Sequence, residues 1–554
     1  MTGMDRRGLL KIGGAAVAAP YLWLPARADA PQWPTQTVGP FVEVDTASGR
    51  IKGGHSRGAL AFKAIPYAGS VSGKNRFKAP PPVTPWTGVR DATRLGAPAL
   101  QSPHTTYGEH EPDYAEDCLV LNVWTPAVKD GGKRPVMVYL HGGGFTTGSG
   151  GQNIQDGSHL AATYDVVVVA INHRLGLFGY LYLGELLGSE YSGNQGQQDI
   201  VAALRWVNQN IASFGGDPGN VMVFGESGGG AKTCTVMAMP SAAGLFHKAG
   251  VQSGPMLRGV SKESGTETAR RVLAGLGLSD PAKLFDVPAA KLLELQLQGP
   301  QGALGKPTAA YAAKHPASET GGGLGQDVPG NWGPVVDGVV LPRDPFDPDA
   351  PAIAANVALL IGNARDEATF FMRDNPAYFS SDEAALTALA RQQLGSKADA
   401  IIALYKKTRP AASAPELGIA IMTAMSFGNG SVTIADRKSL QPAPVYRYRY
   451  DYQSNVPIKG TNWIFRAGHA SDISLVFLNQ EILDLQGNGP GLNEAARAMS
   501  GYFTSFARNA MPVAAGQPAW PRYDTKTRPV MLINSQCQLV NDPDSAERQF
   551  WQNA

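Results

Sequence analysis

Short apolar runs separated by polar turns recur along the chain and predict the strands of a buried sheet. Several runs are apolar at consecutive positions, which is typical of strands covered on both faces, as parallel strands are. The predicted strands are CLVLNVW (118–124), PVMVYL (135–140), DVVVVAIN (165–172), NVMVF (220–224), NVALLIG (356–362) and VYRYRYDY (445–452).

A helical pattern lies between the third and fourth of these strands. Its apolar positions are spaced as on one face of a helix, and they are Ile200, Leu204, Val207 and Ile211. Gly215 and Pro218 then end the helix. A strand, a helix and a strand in succession predict an α/β fold with a large, mostly parallel sheet flanked by helices.

The segment of about residues 261–330 interrupts this alternation. It is rich in Ala, Leu and Gly, has weaker strand signals and ends in GGGLGQDVPGNWG. We interpret it as helices and loops that are inserted between core strands and roof a site at the edge of the sheet. A linker between folded parts is the alternative interpretation.

Length and composition indicate a large globular protein. The 554 residues are 43% hydrophobic and 17% charged, enough for a sizeable core. The length fits either three or four domains or one large α/β domain. Three cysteines (Cys118, Cys234 and Cys537) cannot form a disulfide framework, and no C-x-x-C, H-E-x-x-H or EF-hand pattern predicts a metal site.

The N-terminal segment has the features of an export signal. A basic sequence, DRRGLLK (5–11), is followed by an apolar stretch (12–24) and by Ala-Arg-Ala (26–28). The paired arginines are typical of a twin-arginine signal. The 13 residues of the apolar stretch are fewer than the about 20 needed to span a bilayer.

We therefore predict that residues 1–28 are a signal, cleaved near Ala28 or Ala30, and that the protein is periplasmic or secreted. A Sec-type signal or a retained anchor is the alternative. Removal of residues 1–28 changes the formal charge from +2 to −1, so the excess of basic over acidic residues lies in the signal. Without a basic stripe, we expect no nucleic-acid partner and no stable membrane insertion of the mature chain.

The motif G-x-S-x-G, which can present a nucleophilic serine, occurs twice. GHSRG (54–58) is followed by the alternating ALAFKAI, so we predict a hairpin turn at Ser56 beside a half-exposed strand. GESGG (225–229) follows the apolar NVMVF and opens a run of helix formers. A strand that ends at once in a helix is the context of a nucleophile elbow, which makes Ser227 the predicted nucleophile.

Glycines flank Ser227 and follow an earlier strand. Gly225 and Gly229 let a tight turn close without Cβ clashes. HGGGF (141–145) directly follows the strand 135–140, as the oxyanion loop of lipases and esterases does. The amides of Gly143 and Gly144, together with that of Gly228, are the expected donors to an oxyanion. A loop that is merely flexible is the alternative.

A serine nucleophile needs a histidine base, which follows the serine in the chain order of hydrolases. The candidates are His247, His315 and His469. His247 comes just before a strand-like segment, and His315 lies in the inserted segment. His469, in RAGHASD, follows the strand 445–452, which would deliver it to the carboxyl edge of the sheet. We therefore predict that His469 is the base.

The carboxylate that orients this base should follow an earlier strand. NVALLIG runs directly into NARDEATFF, which offers Asp366 and Glu367. The spacing of the two neighbours alone does not choose between them.

A long series of segments resembles the blocks of type-B carboxylesterases, the family of para-nitrobenzyl esterases and cholinesterases. The resemblance covers residues 40–550 with a divergent middle and implies one α/β-hydrolase domain (29–554) with a gorge-like pocket. It also implies Ser227 as nucleophile, Glu367 as acid and His469 as base, with the same three oxyanion glycines. The matching blocks include EDCLVLNVWTP, PVMVYLHGGGFTTGS, VVVVAINHRLGLFGYL, GNVMVFGESGGG, LFHKAGVQSG, GPVVDGVVLP and IGNARDEATFF.

Three positions depart from the family pattern. Gly228 stands where alanine is usual, which could loosen the elbow, and Ala368 replaces the glycine that usually follows the acid. Cys118 matches half of a family disulfide, but GAPALQSP has no cysteine where its partner is expected. We therefore expect this bridge to be absent.

Together these features predict a serine esterase that forms an acyl-enzyme on small to medium, apolar or aromatic esters and needs no metal or other cofactor. An amidase or carbamate hydrolase with the same triad is one alternative, and a non-catalytic binding protein on this fold is another. We expect activity to rise with pH through a pKa near about 6 to 7. Five aromatic residues could line an apolar pocket or belong to the core: Trp332, Phe370, Phe371, Trp463 and Phe465.

Overall fold

A 13-stranded sheet runs through the part of the protein that the structure describes. The computed structural model describes residues 36–102, 113–298, 311, 327, 329–482 and 485–553. The strands in chain order are β1 (Val38–Thr46), β2 (Gly49–Ser56), β3 (Ala59–Pro66), β4 (Val89–Asp91), β5 (Val120–Thr125), β6 (Arg134–Leu140), β7 (Val167–Ile171), β8 (Gly216–Glu226), β9 (Lys248–Gln252), β10 (Val260–Ser261), β11 (Val335–Val336), β12 (Ala358–Ala364), β13 (Val445–Tyr450), β14 (Ser454–Pro457), β15 (Ile464–Arg466), β16 (Pro529–Ile533) and β17 (Gln538–Asn541).

The centre of the sheet is parallel, in the order β7-β6-β8-β9-β12-β13-β16. Antiparallel strands extend both ends, with β5, β3, β2 and β1 on one side and β17 on the other. All six predicted strands belong to this sheet. The prediction of an α/β fold with a large, mostly parallel sheet is confirmed.

Helices connect the strands and pack on the sheet. Those described are α1 (Ser158–Tyr164), α2 (Gly176–Tyr180), α3 (Gly184–Leu187), α4 (Gln195–Asn210), α5 (Gly228–Met237), α6 (Lys262–Gly275), α7 (Ala289–Leu297), α8 (Ala368–Met372), α9 (Glu383–Leu394), α10 (Ala398–Thr408), α11 (Ala414–Thr423), α12 (Asn429–Lys438), α13 (Ile473–Phe477), α14 (Leu492–Asn509) and α15 (Ser545–Asn553).

The central strands are apolar at consecutive positions because the sheet has a core on each face. In β8, Val221 and Val223 enter one core, whereas Met222 and Phe224 enter the other. Helices α4 and α5 cover the first core, and α1, α13 and α14 cover the second. The helix predicted between the third and fourth strands is α4. A 3-10 turn (Ile211–Phe214) continues it, and Gly215 ends this turn with a φ of +74°.

The first G-x-S-x-G sequence forms the predicted hairpin between β2 and β3. Ser56 pairs with Ala59, and the two residues between them, Arg57 and Gly58, have φ values of +48° and +88°. Two positive φ angles are typical of a type I′ hairpin turn. The prediction of a half-exposed strand was wrong for β3, because most of its residues are buried between β2 and β5.

The described part of the segment 261–330 contains α6 and α7. Helix α7 packs beside α2, where the side-chain oxygen of Gln296 accepts a hydrogen bond from the Leu177 amide at 2.7 Å. His315 and much of the glycine-rich end lie outside the described residues, as does the predicted signal at residues 1–28.

The three cysteines are buried and free. Cys118 makes no disulfide, as expected from the missing partner in GAPALQSP. No described residue group of three or more His, Cys, Asp and Glu is arranged to hold a metal ion.

One described helix, Ala414–Lys438, is long and apolar enough to cross a membrane, by length and composition only. It consists of α11 and α12, joined by a π-helical turn at Ala424–Gly428. Since 56% of its most apolar window is buried inside the protein, it also fits the description of a core helix.

Candidate active site

Ser227 stands between the end of β8 and the start of α5. Its φ of +57° and ψ of −122° are a conformation that side-chain-bearing residues adopt only under strain. The Ser227 amide donates to the Gln252 carbonyl at 2.8 Å, and its carbonyl accepts from the Ala231 amide at 3.1 Å. The predicted strand, turn and helix are therefore present, with the serine in the strained turn.

Three glycines allow α5 to approach the neighbouring loop. A Cβ on Gly225 would lie 2.4 Å from the Leu140 carbonyl oxygen, and a Cβ on Gly229 would lie 1.9 Å from the same atom. These distances are too short for any side chain, as the sequence predicted for these two positions. A Cβ on Gly228 would lie 2.1 Å from the Gly144 oxygen. The glycine at 228 thus brings the loop into backbone contact with α5.

The loop 141–145 presents free amides beside the serine. Gly143 and Gly144 have φ values of +82° and +60°, and the Gly143 carbonyl accepts from the amides of Thr146 and Thr147. In the described part of the chain, no hydrogen bond uses the N–H of Gly143 or of Gly144. Both amides are therefore available to an anion.

His469 contacts Glu367 in the interior. Its Nδ1 lies 2.5 Å from Glu367 Oε2, and Glu367 Oε1 accepts from the Ala364 amide at 2.7 Å. Glu367 is 0% exposed and His469 is 2% exposed. Asp366 instead pairs with Arg365 at 3.2 Å. Of the two carboxylates that spacing left open, Glu367 is the one beside the imidazole.

Glu226, the residue before Ser227, is a second carboxylate beside the imidazole. Its Oε1 lies 3.3 Å from His469 Nε2. Glu226 was not predicted from the sequence, although its place inside GESGG was a signal. Ser227, His469 and Glu226 line one narrow cavity, but no hydrogen bond between the Ser227 hydroxyl and His469 occurs among the described residues.

Burial and charge act in opposite directions on His469. Burial alone lowers the pKa of the imidazole, but the negative charges of Glu226 and Glu367 outweigh it and raise this pKa to about 9. Burial raises the pKa of Glu226 to about 8, although His469 opposes the shift. The imidazole therefore keeps its proton to a higher pH than a free histidine does, which moves the expected activity limb above the range of about 6 to 7.

Aromatic rings cover the imidazole. The ring centres of Phe427, Phe371 and Phe370 lie 4.8, 5.1 and 5.6 Å from that of His469. Phe427 belongs to the π-helical turn at Ala424–Gly428, and such turns are frequent at functional sites. These rings cover one side of the imidazole with apolar surface.

The other aromatic candidates belong to packing clusters. Phe465 lies 6.2 Å from Phe370, and Trp463 lies 5.2 Å from Phe379, measured between ring centres. Trp332 is partly buried against the core. For these three residues the core interpretation applies.

His247 lies far along the sheet from Ser227. It precedes β9 at the amino end of that strand, where its Nδ1 accepts from the Val221 amide at 3.2 Å. Ser227 follows the carboxyl end of the parallel neighbour β8. The two residues are therefore at opposite edges of the sheet, and the structural role expected for His247 fits its place.

The parallel sheet, the elbow at its centre and a histidine loop after a later strand define an α/β-hydrolase. The model of the carboxylesterase family matches residues 40–551. The para-nitrobenzyl esterase of Bacillus subtilis is 34% identical over 516 residues, which cover 91% of this chain and 97% of that protein. The liver carboxylesterase of Sus scrofa is 30% identical, over 96% of each chain.

Comparison with a solved structure also identifies a carboxylesterase as similar to this chain. The carboxylesterase EST55 of Geobacillus stearothermophilus superposes with a TM-score of 0.77 at 35% identity, over 92% of this chain and 100% of that one. The chain belongs to the carboxylesterase family. It is an ester-hydrolysing enzyme of the serine type, and the family predicted from the motif blocks is confirmed.

Proposed function

We propose that Ser227 is the nucleophile, His469 the base and Glu367 the orienting acid of this esterase. The observation that carries the proposal is the 2.5 Å contact between His469 Nδ1 and Glu367 Oε2 at a cavity that the strained Ser227 also lines. A buried carboxylate on one imidazole nitrogen, with a serine near the other, is the arrangement of a hydrolase triad.

In the first half of the reaction, Ser227 Oγ attacks the ester carbonyl carbon and its proton passes to His469 Nε2. The carbonyl oxygen becomes an oxyanion, to which the amides of Gly143, Gly144 and Gly228 donate hydrogen bonds. Collapse of this intermediate breaks the bond to the alcohol oxygen. That oxygen takes the proton from His469, and the alcohol leaves behind an acyl-serine.

In the second half, water attacks the acyl-serine. His469 takes one proton of the water and passes it to Ser227 Oγ when the acyl bond breaks. The products are a carboxylic acid and the free enzyme, so the net reaction consumes one ester and one water.

Glu367 orients the base in this mechanism. Its contact with Nδ1 keeps the hydrogen on that nitrogen, leaves Nε2 for the serine proton, and stabilises the imidazolium that forms. Nε2 lies 3.3 Å from Glu226 Oε1, and catalytic hydrogen bonds often tighten only when substrate is bound.

We propose small to medium, apolar or aromatic esters as substrates. The rings of Phe370, Phe371 and Phe427 around the base favour apolar acyl or alcohol groups. A relative named para-nitrobenzyl esterase supports the same class.

We further propose that the protein is exported, on the basis of the paired arginines, the apolar stretch and the small residues in the segment 1–28. The N-terminal sequence of the protein recovered outside the cytoplasm tests this proposal. A new terminus near Ala28 or Ala30 is expected, and an intact residue 1 on exclusively cytoplasmic protein would contradict export.

Comparison of Ser227→Ala with Ser56→Ala tests the assignment of the nucleophile. We expect kcat on 4-nitrophenyl esters to fall by about 10⁶-fold in Ser227→Ala and to stay at the wild-type value in Ser56→Ala, the other G-x-S-x-G serine. Parallel assays on matched anilides and carbamates measure the preference for esters. Wild-type kcat in Ser227→Ala would refute the assignment.

A further inference from the structure

Lys232 is a buried lysine on the helix that follows Ser227. It is 0% exposed, and among the residues that the structure describes no carboxylate forms an ion pair with it. A buried amino group without a charge partner carries a desolvation penalty that an apolar side chain would avoid. The contacts of the amino group should therefore indicate why a lysine stands at this position.

The two contacts of Lys232 lie at the two ends of the loop 141–145. Its Nζ donates to the His141 carbonyl at 2.9 Å and lies 5.7 Å from the centre of the Phe145 ring. Gly143 and Gly144, whose amides are free, lie between these two anchors. One side chain of α5 thus holds both the first and the last residue of the loop.

The backbone of α5 also contacts the loop 141–145. Gly228, four residues before Lys232, allows the close approach of the Gly144 carbonyl. Residues four apart lie on one face of a helix. The face that carries Lys232 is therefore the face on which the loop rests.

The titratable neighbours of Lys232 are two buried histidines. The rings of His141 and His173 stack at 4.6 Å and are inclined by 6°. Burial, and then the charge of Lys232, holds the pKa of both imidazoles well below its usual value. Burial also lowers the pKa of Lys232 itself, to about 7. Burial therefore disfavours the charged form of all three groups, and the positive charge of Lys232 further disfavours protonation of the two imidazoles.

We propose that Lys232 is a positioning residue, which ties the His141 carbonyl and the Phe145 ring to α5 and so holds the amides of Gly143 and Gly144 at Ser227. Preorganised amides stabilise an oxyanion because they need no rearrangement during the reaction. The inference rests on the proposed roles of Ser227 and of the loop.

Lys232→Met tests this role, since methionine fills similar space without charge or donor. Lys438→Met is the matched control, because Lys438 is also 0% exposed and donates to one main-chain carbonyl, that of Ala355, at 3.1 Å. The measurements are kcat and KM per titrated active site, and the inhibition constant of a trifluoromethyl ketone, which forms an oxyanion adduct with a serine.

We expect Lys232→Met to lower kcat by about 10- to 100-fold and to leave KM within about twofold of the wild-type value. The inhibition constant of the ketone should rise by the same factor by which kcat/KM falls. Lys438→Met should change none of these three constants. A residue needed only for folding would lower the fraction of active sites, but not the affinity of the remaining sites for the ketone.

Lys232→Gln is the second variant, because glutamine keeps an N–H donor for His141 and should retain more activity than methionine. Wild-type kcat and ketone affinity in Lys232→Met would overturn the role of Lys232 and leave the proposed function intact. Failure of both variants to fold would also overturn it, since a positioning group is replaceable without loss of the fold. Full activity in Ser227→Ala would instead refute the proposed function.

Discussion

Glu226 Oε1 lies 3.3 Å from Nε2 of His469, the nitrogen that must receive the proton of Ser227 in a triad. When the imidazole is protonated, Nε2 carries a hydrogen and cannot accept the proton of the serine. When it is neutral, Nε2 can accept the serine proton. The negative charge of Glu226 therefore favours the protonated imidazole, which cannot act as the base of the proposed triad. If His469 is that base, the pH dependence of hydrolysis reports this contact.

Glu226→Gln should shift the ascending limb of kcat/KM to lower pH. The charge of Glu226 raises the pKa of His469, which stands at about 9 with this charge present. Removal of the charge lowers that pKa, so the neutral and active imidazole appears at a lower pH. We expect the midpoint to fall by about one unit or more, measured from a pH–rate profile.

Asp366→Asn is the control for this shift. It also removes a carboxylate near the site, but Asp366 pairs with Arg365 and does not contact the imidazole. An unchanged or higher midpoint in Glu226→Gln would contradict the assignment of this contact to the activity limb.

Glu367→Gln should lower kcat far more than Asp366→Asn. Glutamine cannot stabilise an imidazolium and can present its amide nitrogen to Nδ1, which favours the wrong tautomer. We expect kcat to fall by roughly 10³- to 10⁴-fold in Glu367→Gln, whereas Asp366→Asn stays within about threefold of wild type. The reverse order of effects would assign the acid to Asp366.

Gly228→Ala should reduce activity, although alanine is the residue that the family pattern leads one to expect there. In this chain a Cβ at 228 would lie 2.1 Å from the Gly144 oxygen, so the loop must move away from Ser227. A displacement of about 1 Å at donor groups can lower kcat by about 10²-fold. Steady-state kinetics measure the loss, and wild-type or higher kcat would mean that the loop does not rest on Gly228.

Much of the fold could be predicted because its signals are local. Apolar runs covered on both faces marked the six strands, and periodic apolar positions with Gly215 marked α4. The two G-x-S-x-G sequences were separated by their flanking residues, since Arg57 and Gly58 form a hairpin whereas Ser227 joins a buried strand to a helix.

The features of the site that the sequence did not predict depend on contacts between residues that are distant along the chain. The neighbours Asp366 and Glu367 differ by only one position in their spacing from the strand, and the turn that follows the strand decides which one contacts His469. Phe427 contacts the His469 ring from a π-helical turn, and no short sequence pattern predicts such a turn. Lys232 lies in a run of helix formers, and that run does not predict the contact of its amino group with the loop 141–145.

The most direct test of the triad is the mass spectrum of peptides from protein that has reacted with a fluorophosphonate. We predict one phosphonyl adduct per chain, located on Ser227, unchanged in Ser56→Ala and formed much more slowly in Glu367→Gln. An adduct on a different serine, or no adduct on an enzyme that still hydrolyses esters, would contradict the account.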